Sequence, residues 1–301
     1  MKILISGASG LVGNALSRRL RAEGHTVVRL VRPGGTPSAG DVAWDPMAAT
    51  VDLSAMESAD AVIHLSGASV GDGRWTPARK ALLRSSRIDS TRVLVDSLAR
   101  LRQKPSVFVC ASATGYYGDR GDEILTESSE PGTDFLSLLA RDWEAEATRA
   151  KSSGIRTVLL RFGVILSATG GALPRMLMPF KFGVGGRFGS GKQWLSWLTL
   201  EDAVEIARLA IVDERLAGPV NVVAPNPLRN AEFTRLVASA LHRPAIFSAP
   251  AFALRLALGE MAGPLLLSSQ RAIPEKLLAA GYQFRSDDFS SALRAMLSDS
   301  V

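Results

Sequence analysis

Residues 2–13 read KILISGASGLVG, a short β-branched and apolar run leading into three glycines spaced three apart. A helical pattern follows as far as Gly24, and a second apolar run, TVVRLV at 26–31, lies behind it. The order is strand, glycine turn, helix, strand, which opens a doubly wound α/β sheet with a dinucleotide at its edge. In that setting the glycines have separate tasks. Gly7 permits the tight turn, Gly10 lets the main chain approach a pyrophosphate, and Gly13 lets the helix pack closely on the sheet. The helix N-terminus then faces the phosphates with free amide donors. Glycine turns are common, and it is the position between a first strand and a first helix that makes this one specific.

The end of the second strand selects the cofactor. An acidic side chain there would bind the adenosine ribose hydroxyls, but the strand ends in Arg32, followed by Pro33 and Gly34. A planar guanidinium suits a 2′-phosphate and predicts NADP(H); a solvated loop arginine is the alternative.

Further strands are expected at AVIHLSG (61–67) and SVFVCAS (106–112), with a long helix over about 78–102 between them. The apolar stripe of that helix runs through Leu83, Leu94, Leu98 and Leu101, and Arg87 falls on it. An arginine facing inward either needs a buried acceptor or snorkels past the core edge. TVLLRFGVIL (157–166) and PVNVV (219–223) read as later strands, and LTLEDAVEIARLAI (198–211) as a capped amphipathic helix. Between them, 167–197 is glycine-bearing and reads as a binding loop or lid with little regular structure. Arg187, Lys192, Gln193 and Trp194 are available there to an anionic or flat ligand; equally, Trp194 and Trp197 can anchor the lid to the core.

With 301 residues and 47% apolar content, the chain can bury a sizeable core as one domain or two. The opening apolar run is too short for a signal-peptide core, which predicts a cytoplasmic protein. The apolar window 249–267 is broken by Arg255, Glu260, two glycines and two prolines, and reads as helices of a small domain, not a membrane span. One cysteine, Cys110, rules out an intrachain disulfide, and His25, His64 and His242 have no ligand spacing, so no metal is expected. The net charge of +6 rests on 28 arginines spread without long runs, so no nucleic-acid partner is expected. A local positive field for a small, anionic substrate stays open, and the sequence says nothing of oligomeric state.

Taken together, GASGLVG (7–13), HLSGA (64–68), GRWTPARK (73–80), SSRIDSTRVL (85–94), SATGYYG (112–118), RDWEAEA (141–147), LRFGVILS (160–167), GSGKQWLSWL (189–198) and NVVAPNP (221–227) resemble an atypical branch of the extended short-chain dehydrogenase/reductases. This branch is labelled nucleoside-diphosphate-sugar epimerase or NAD-dependent epimerase/dehydratase, and some relatives carry a cell-division-inhibitor label. The tail from about 248 is similar to the uncharacterised C-terminal domain appended in this branch. The resemblance implies a Rossmann core over 1–165, completed by about 199–224, with 166–198 and 225–301 forming a substrate-binding lid and a smaller, mostly helical C-terminal region. It implies cofactor contacts at Gly7, Ser9, Gly10, Leu11, Val12, Gly13, Arg32, Ser66, Gly67, Ala68, Arg87 and Phe162.

The wider superfamily implies a serine, a tyrosine, a lysine and a preceding asparagine as catalytic groups. Ser112 matches the serine, and Arg87 stands at the asparagine position. Leu136 and Ala140 stand where the tyrosine and lysine would be, and neither can exchange a proton. Tyr116 and Tyr117, on the loop after Ser112, are candidate replacement acids, although Tyr117 can equally be a wall residue and Ser112 can simply bond the strand end. The acidic loop DRGDE (119–123) can approach substrate, although solvated loop charge is the simpler reading. Two functions follow: an NADP(H)-dependent reductase or epimerase acting on a small carbonyl or nucleotide-sugar-like compound, or a non-catalytic NADP(H)-binding regulator.

Overall fold

The computed structural model describes residues 1–36, 38 and 40–298. The last three residues of the expected 225–301 region lie outside them. Eight strands form the main sheet: β1 (Lys2–Ser6), β2 (Thr26–Val31), β3 (Val42–Asp45), β4 (Thr50–Val51), β5 (Ala61–His64), β6 (Val107–Ala113), β7 (Arg156–Phe162) and β8 (Gly218–Val222). Their order is β8-β7-β6-β5-β1-β2-β3-β4, parallel except for the antiparallel β3–β4 edge. The chain enters at β1, winds outward to β2 and β3, then crosses back to lay β5 on the other side of β1. That reversal opens a crevice at the carboxyl ends of β1 and β5, where doubly wound sheets bind ligands.

Continuous apolar runs are what a sheet covered on both faces requires. In β1, Ile3, Leu4 and Ile5 are all fully buried. Leu4 pairs in register with Val62, and Val62 with Phe108. This face packs against Leu94, Leu98 and Trp143. Ile3 and Ile5 point the other way, onto Leu16, Leu20 and Ala207. The helices are α1 (Leu11–Ala22), α2 (Pro77–Arg84), α3 (Ser90–Arg100), α4 (Phe135–Thr148), α5 (Leu173–Lys181), α6 (Leu200–Val212), α7 (Asn230–Ala240), α8 (Ala251–Leu258) and α9 (Phe289–Ser298), of which α5, α7 and α9 form a separate core away from the sheet. Local chemistry starts several of them. Thr76 caps α2 with Pro77 at its first position, Asp134 caps α4, and Thr199 caps α6.

Two expectations need correcting. The helix expected over 78–102 runs continuously from Pro77 to Arg100, but Ser85–Asp89 is wound as a π-helical turn between α2 and α3. The segment 167–197 is more ordered than its glycines imply. It contains α5, whose Leu173, Leu177 and Phe180 fall at helical spacing and pack on Phe233, Val237, Phe289 and Leu293. It also contains Gly186–Phe188, paired with Phe247–Ala249, and Trp194–Leu195, paired with Leu228–Arg229. A proline near the start of α5 costs no internal hydrogen bond, so the pattern tolerates Pro174. The window 249–267 folds as α8 followed by two short turns. Among the described residues no helix is long and apolar enough to cross a membrane. The C-terminal region returns to the core through Arg271–Ala272, which pairs with Ile124–Leu125 beyond β6.

Candidate active site

The glycine turn closes as Gly10 donates its amide to the Gly7 carbonyl at 3.0 Å. Gly7 adopts φ +71°, and a Cβ there would lie 2.7 Å from the main chain of Leu65. A Cβ on Gly13 would lie 2.2 Å from the Gly7 carbonyl oxygen. Neither position can therefore take a side chain while β1, α1 and the loop after β5 keep their places. Helix α1 begins at Leu11 with Gly10 as its cap, no side-chain capping bond and no acidic residue in its first turn. Its leading amides face the sheet edge as donors for an anion. Beside the turn runs a groove of about 690 Å³ lined by Gly7, Ala8, Ser9, Arg32 and the Pro33–Gly35 loop. Arg32 is exposed and has no ion-pair partner among the described residues. The Leu11 and Val12 side chains pack on the α1 side of the core.

A second cavity of about 370 Å³ lies at the carboxyl ends of β5, β6 and β7. It brings together Ser66, Gly67, Arg87, Ser112, Leu136, Ala140 and Phe162. The positions that the resemblance reserves for tyrosine and lysine thus face the same space as Ser112, but they form an apolar wall with Leu139 and Trp143. Trp194, Leu195, Pro264, Leu265 and Gln270 close the far side. Arg187 and Lys192 lie elsewhere: Arg187 lines a separate cleft with Arg235 and Phe247, and Lys192 is exposed. Trp194 donates its indole N–H to Asp122 at 2.7 Å, while Trp197 is fully buried and donates to the Asn226 carbonyl.

The π-turn serves both spaces, with Ser85 and Ser86 on the groove and Arg87 on the cavity. Such turns recur at functional sites because they re-aim a side chain without ending the helix. The Ser86 hydroxyl accepts from the Ala68 amide, and Arg87 donates to the Ala68 carbonyl at 3.0 Å and the Leu83 carbonyl at 3.3 Å. A Cβ on Gly67 would lie 3.1 Å from the Arg87 Cζ, so glycine admits the guanidinium against the loop. Arg87 also stands 5.3 Å from the Trp143 ring centre. Among the described residues it has no carboxylate partner, and burial, with the charge of Arg79, lowers its pKa to about 10. It is an inward cation held by carbonyls, with room for an anion in front of it.

Ser112 is 3% exposed and donates to Glu144 Oε1 at 2.6 Å. Glu144 in turn takes two parallel bonds from Arg161, Nε to Oε1 and Nη2 to Oε2, both at 2.8 Å. The bidentate pair is buried, and Glu144 more than offsets the burial cost on Arg161, whose pKa is raised. A hydrogen bond to such a carboxylate is worth about 1.5–3 kcal/mol. Ser112 therefore presents lone pairs to the cavity, and a partner there must donate to it. The network continues as Arg161 donates to the Tyr117 hydroxyl at 3.0 Å and Tyr117 donates to Asn221 Oδ1 at 2.6 Å.

This placement argues against Tyr117 as a replacement acid. It is fully buried, its hydroxyl is engaged on both sides, and burial pushes its pKa up to about 12. Tyr116 lies under the Arg161 guanidinium, 3.6 Å from ring centre to Cζ, outside the cavity lining, and burial raises its pKa. His64, read only for its lack of metal spacing, proves to be a buried core histidine. Its Nδ1 lies 2.6 Å from Ser6 Oγ and its Nε2 3.3 Å from Ser90 Oγ, tying β5 to β1 and α3. Burial lowers its pKa to about 3.

Comparison with known proteins agrees with this geometry. A model of the NAD dependent epimerase/dehydratase family matches residues 3–223, and a domain of unknown function matches residues 249–296. An epimerase family protein of Mycobacterium bovis is 43% identical over 291 residues, spanning 97% of this chain and 96% of its own. The human epimerase family protein SDR39U1, crystallised with NADPH, has a TM-score of 0.90 at 32% identity, covering 99% of this chain and 100% of that one. A nucleoside-diphosphate sugar epimerase from Corynebacterium glutamicum has a TM-score of 0.82 at 36% identity, covering 99% of this chain and 58% of that one. On its glycine turn, its doubly wound sheet and these matches together, the chain belongs to the NAD dependent epimerase/dehydratase family.

Proposed function

We propose that this protein binds NADP(H) and acts as an oxidoreductase or epimerase-like enzyme on a small carbonyl or nucleotide-sugar-like compound, without the usual tyrosine and lysine. Arg87 carries the reading: a half-buried guanidinium with no carboxylate partner among the described residues shares one cavity with Ser112, beside the glycine turn. The residues present fit a dinucleotide. Gly7 and Gly13 let the turn pack against Leu65 and against its own main chain where no Cβ fits, the first amides of α1 offer donors to phosphate, and Arg32 is free to meet a 2′-phosphate. The NADPH held by human SDR39U1 supports the same choice of cofactor. A bound nicotinamide would supply or accept hydride.

The chain's own groups then have separate tasks. Arg87 stabilises negative charge on a carbonyl oxygen through its N–H donors and is not itself a proton source. Ser112, its proton committed to Glu144, accepts from a substrate hydroxyl and so orients it. Leu136, Leu139 and Ala140 keep that side of the cavity apolar, which strengthens the Arg87 interaction by excluding water. With Tyr117 buried, water completes proton transfer. Titration with NADPH and NADH, followed by NADPH oxidation across a panel of carbonyl metabolites, tests the reading. Turnover that falls in Ser112→Ala and Arg87→Met, with cofactor affinity held in Ser112→Ala, is the expected result. Unchanged rates in both variants overturn the assigned roles.

A non-catalytic regulator is the second reading, favoured by the apolar Leu136 and Ala140 and the engaged Tyr117 hydroxyl. It requires a partner retained only with NADP(H) present, and no turnover across the panel.

A further inference from the structure

We infer that the cavity beside Ser112 takes a compact monoanion, a hydroxy- or oxo-carboxylate with an apolar body, rather than a nucleoside-diphosphate sugar. The inference rests on the cofactor-dependent reading of the same site and narrows its substrate class. Three observations carry it.

The first is charge. Of the described residues lining the cavity, Arg87 alone is charged. A nucleoside diphosphate brings at least two negative charges, and burying them beside one cation leaves the rest without compensation. A single carboxylate matches a single planar guanidinium in charge and shape. The second is surface. Leu65, Val70, Leu136, Leu139, Trp143 and Leu265 give the wall a large apolar share, and no second cation lies among the described lining residues. The volume of about 370 Å³ is near the lower end of ligand pockets, which run from about 300 to 1,000 Å³. Part of that space adjoins Ser66, Gly67 and Phe162, where the cofactor is expected. The third is polarity. Ser112 is fixed as an acceptor by Glu144, so it selects a ligand hydroxyl over a bare acceptor.

A rival arrangement would leave a diphosphate outside the cavity, near Trp194, whose faces carry Arg229 and Arg271 at 4.6 Å each. Arg229 is already paired with Asp122, and neither arginine lines the cavity. That leaves Arg271 as the remaining cation at this position.

Calorimetric titration of the full chain, saturated with NADP⁺, separates the two. The probes are 4-methyl-2-oxopentanoate, 2-hydroxy-4-methylpentanoate, the neutral ketone 4-methylpentan-2-one, and UDP-glucose. Saturable binding of both carboxylates is expected, the hydroxy acid the tighter because its hydroxyl can donate to Ser112, with at least tenfold weaker binding of the ketone and of UDP-glucose. Arg87→Met should weaken the carboxylates at least tenfold, and Arg87→Lys should restore part of that loss. Leu136→Glu, which sets a like charge in the half-buried wall, should weaken them similarly without touching Arg87. UDP-glucose binding more tightly than either carboxylate overturns the inference, as does carboxylate affinity unchanged by Arg87→Met and Leu136→Glu. NADP⁺ binding without binding of either carboxylate overturns this inference alone. Absence of NADP⁺ binding overturns the cofactor reading and this inference with it.

Discussion

The two ends of the cleft are built from different materials. At the phosphate end the site is backbone: Gly7 and Gly13 leave no space for a Cβ, and the donors are main-chain amides. At the chemical end it is side chains: Arg87, Ser112, Glu144 and Arg161, with leucine and alanine where tyrosine and lysine are expected. A backbone cradle tolerates one residue type or none. A side-chain site can be refitted, provided every buried charge still finds a partner. Here Glu144 and Arg161 satisfy each other, and Arg87 rests on two carbonyls.

The sharpest way to break the chemical end is to orphan one of those charges. Arg161→Met leaves Glu144 buried without its counter-ion, and unfolding in urea should show about 3–5 kcal/mol of lost stability. The double variant Glu144→Leu with Arg161→Met should recover much of it, because both charges are then gone. At the phosphate end, Gly13→Ala forces a methyl onto the Gly7 carbonyl; a loss of about 3 kcal/mol is expected from such crowding, with NADPH affinity falling at least tenfold. If Gly13→Ala bound NADPH normally, the cradle would not be the cofactor's seat.

His64 joins the two ends, and its titration tests whether they unfold together. Its pKa is about 6.5 unfolded and about 3 folded, so between those values the unfolded chain binds the extra proton. Its contribution to stability is therefore full above pH 6.5 and is lost as pH falls toward 3, by about 1.4 kcal/mol for each pH unit. Unfolding free energies from urea titration at pH 6.5 and pH 5 should differ by about 2 kcal/mol from this group, and His64→Gln should remove that part of the slope. The mildest probe is Arg32→Ala, which should weaken NADPH roughly tenfold, leave NADH unchanged, and leave stability untouched because Arg32 is exposed.

The same contrast explains what could be read from the residues in order. The glycine turn and the strands at β1, β5 and β6 were legible because local rules govern them: glycine where no Cβ fits, and apolar runs where both faces are covered. The wall at Leu136 and Ala140 was legible as a departure from a pattern. The Ser112–Glu144–Arg161 network was not read, although TVLLRFGVIL carried its signal, an arginine inside an otherwise apolar strand. Nothing local names the partner, since Glu144 is 17 residues away in sequence. The π-turn was missed because Ser85–Asp89 keeps helical composition, and the geometry that aims Arg87 arises from packing on Ala68. The fold of 167–197 was under-read because its glycines hide the spacing of Leu173, Leu177 and Phe180.

The strand at Arg271–Ala272, laid alongside Ile124–Leu125, has a consequence in time. Thr114 beside the cavity bonds Gln270 across 156 residues of chain, and Ser196 Oγ accepts from the Ala272 amide across 76. Contacts of that span cannot form until nearly all of the polypeptide has left the ribosome, and closing such loops costs entropy before any contact rewards it. The nucleotide-facing half can collapse early, around neighbours close in sequence. The roof over the cavity beside Ser112 comes last, so a nascent chain forms its glycine turn well before the cavity beside it is closed.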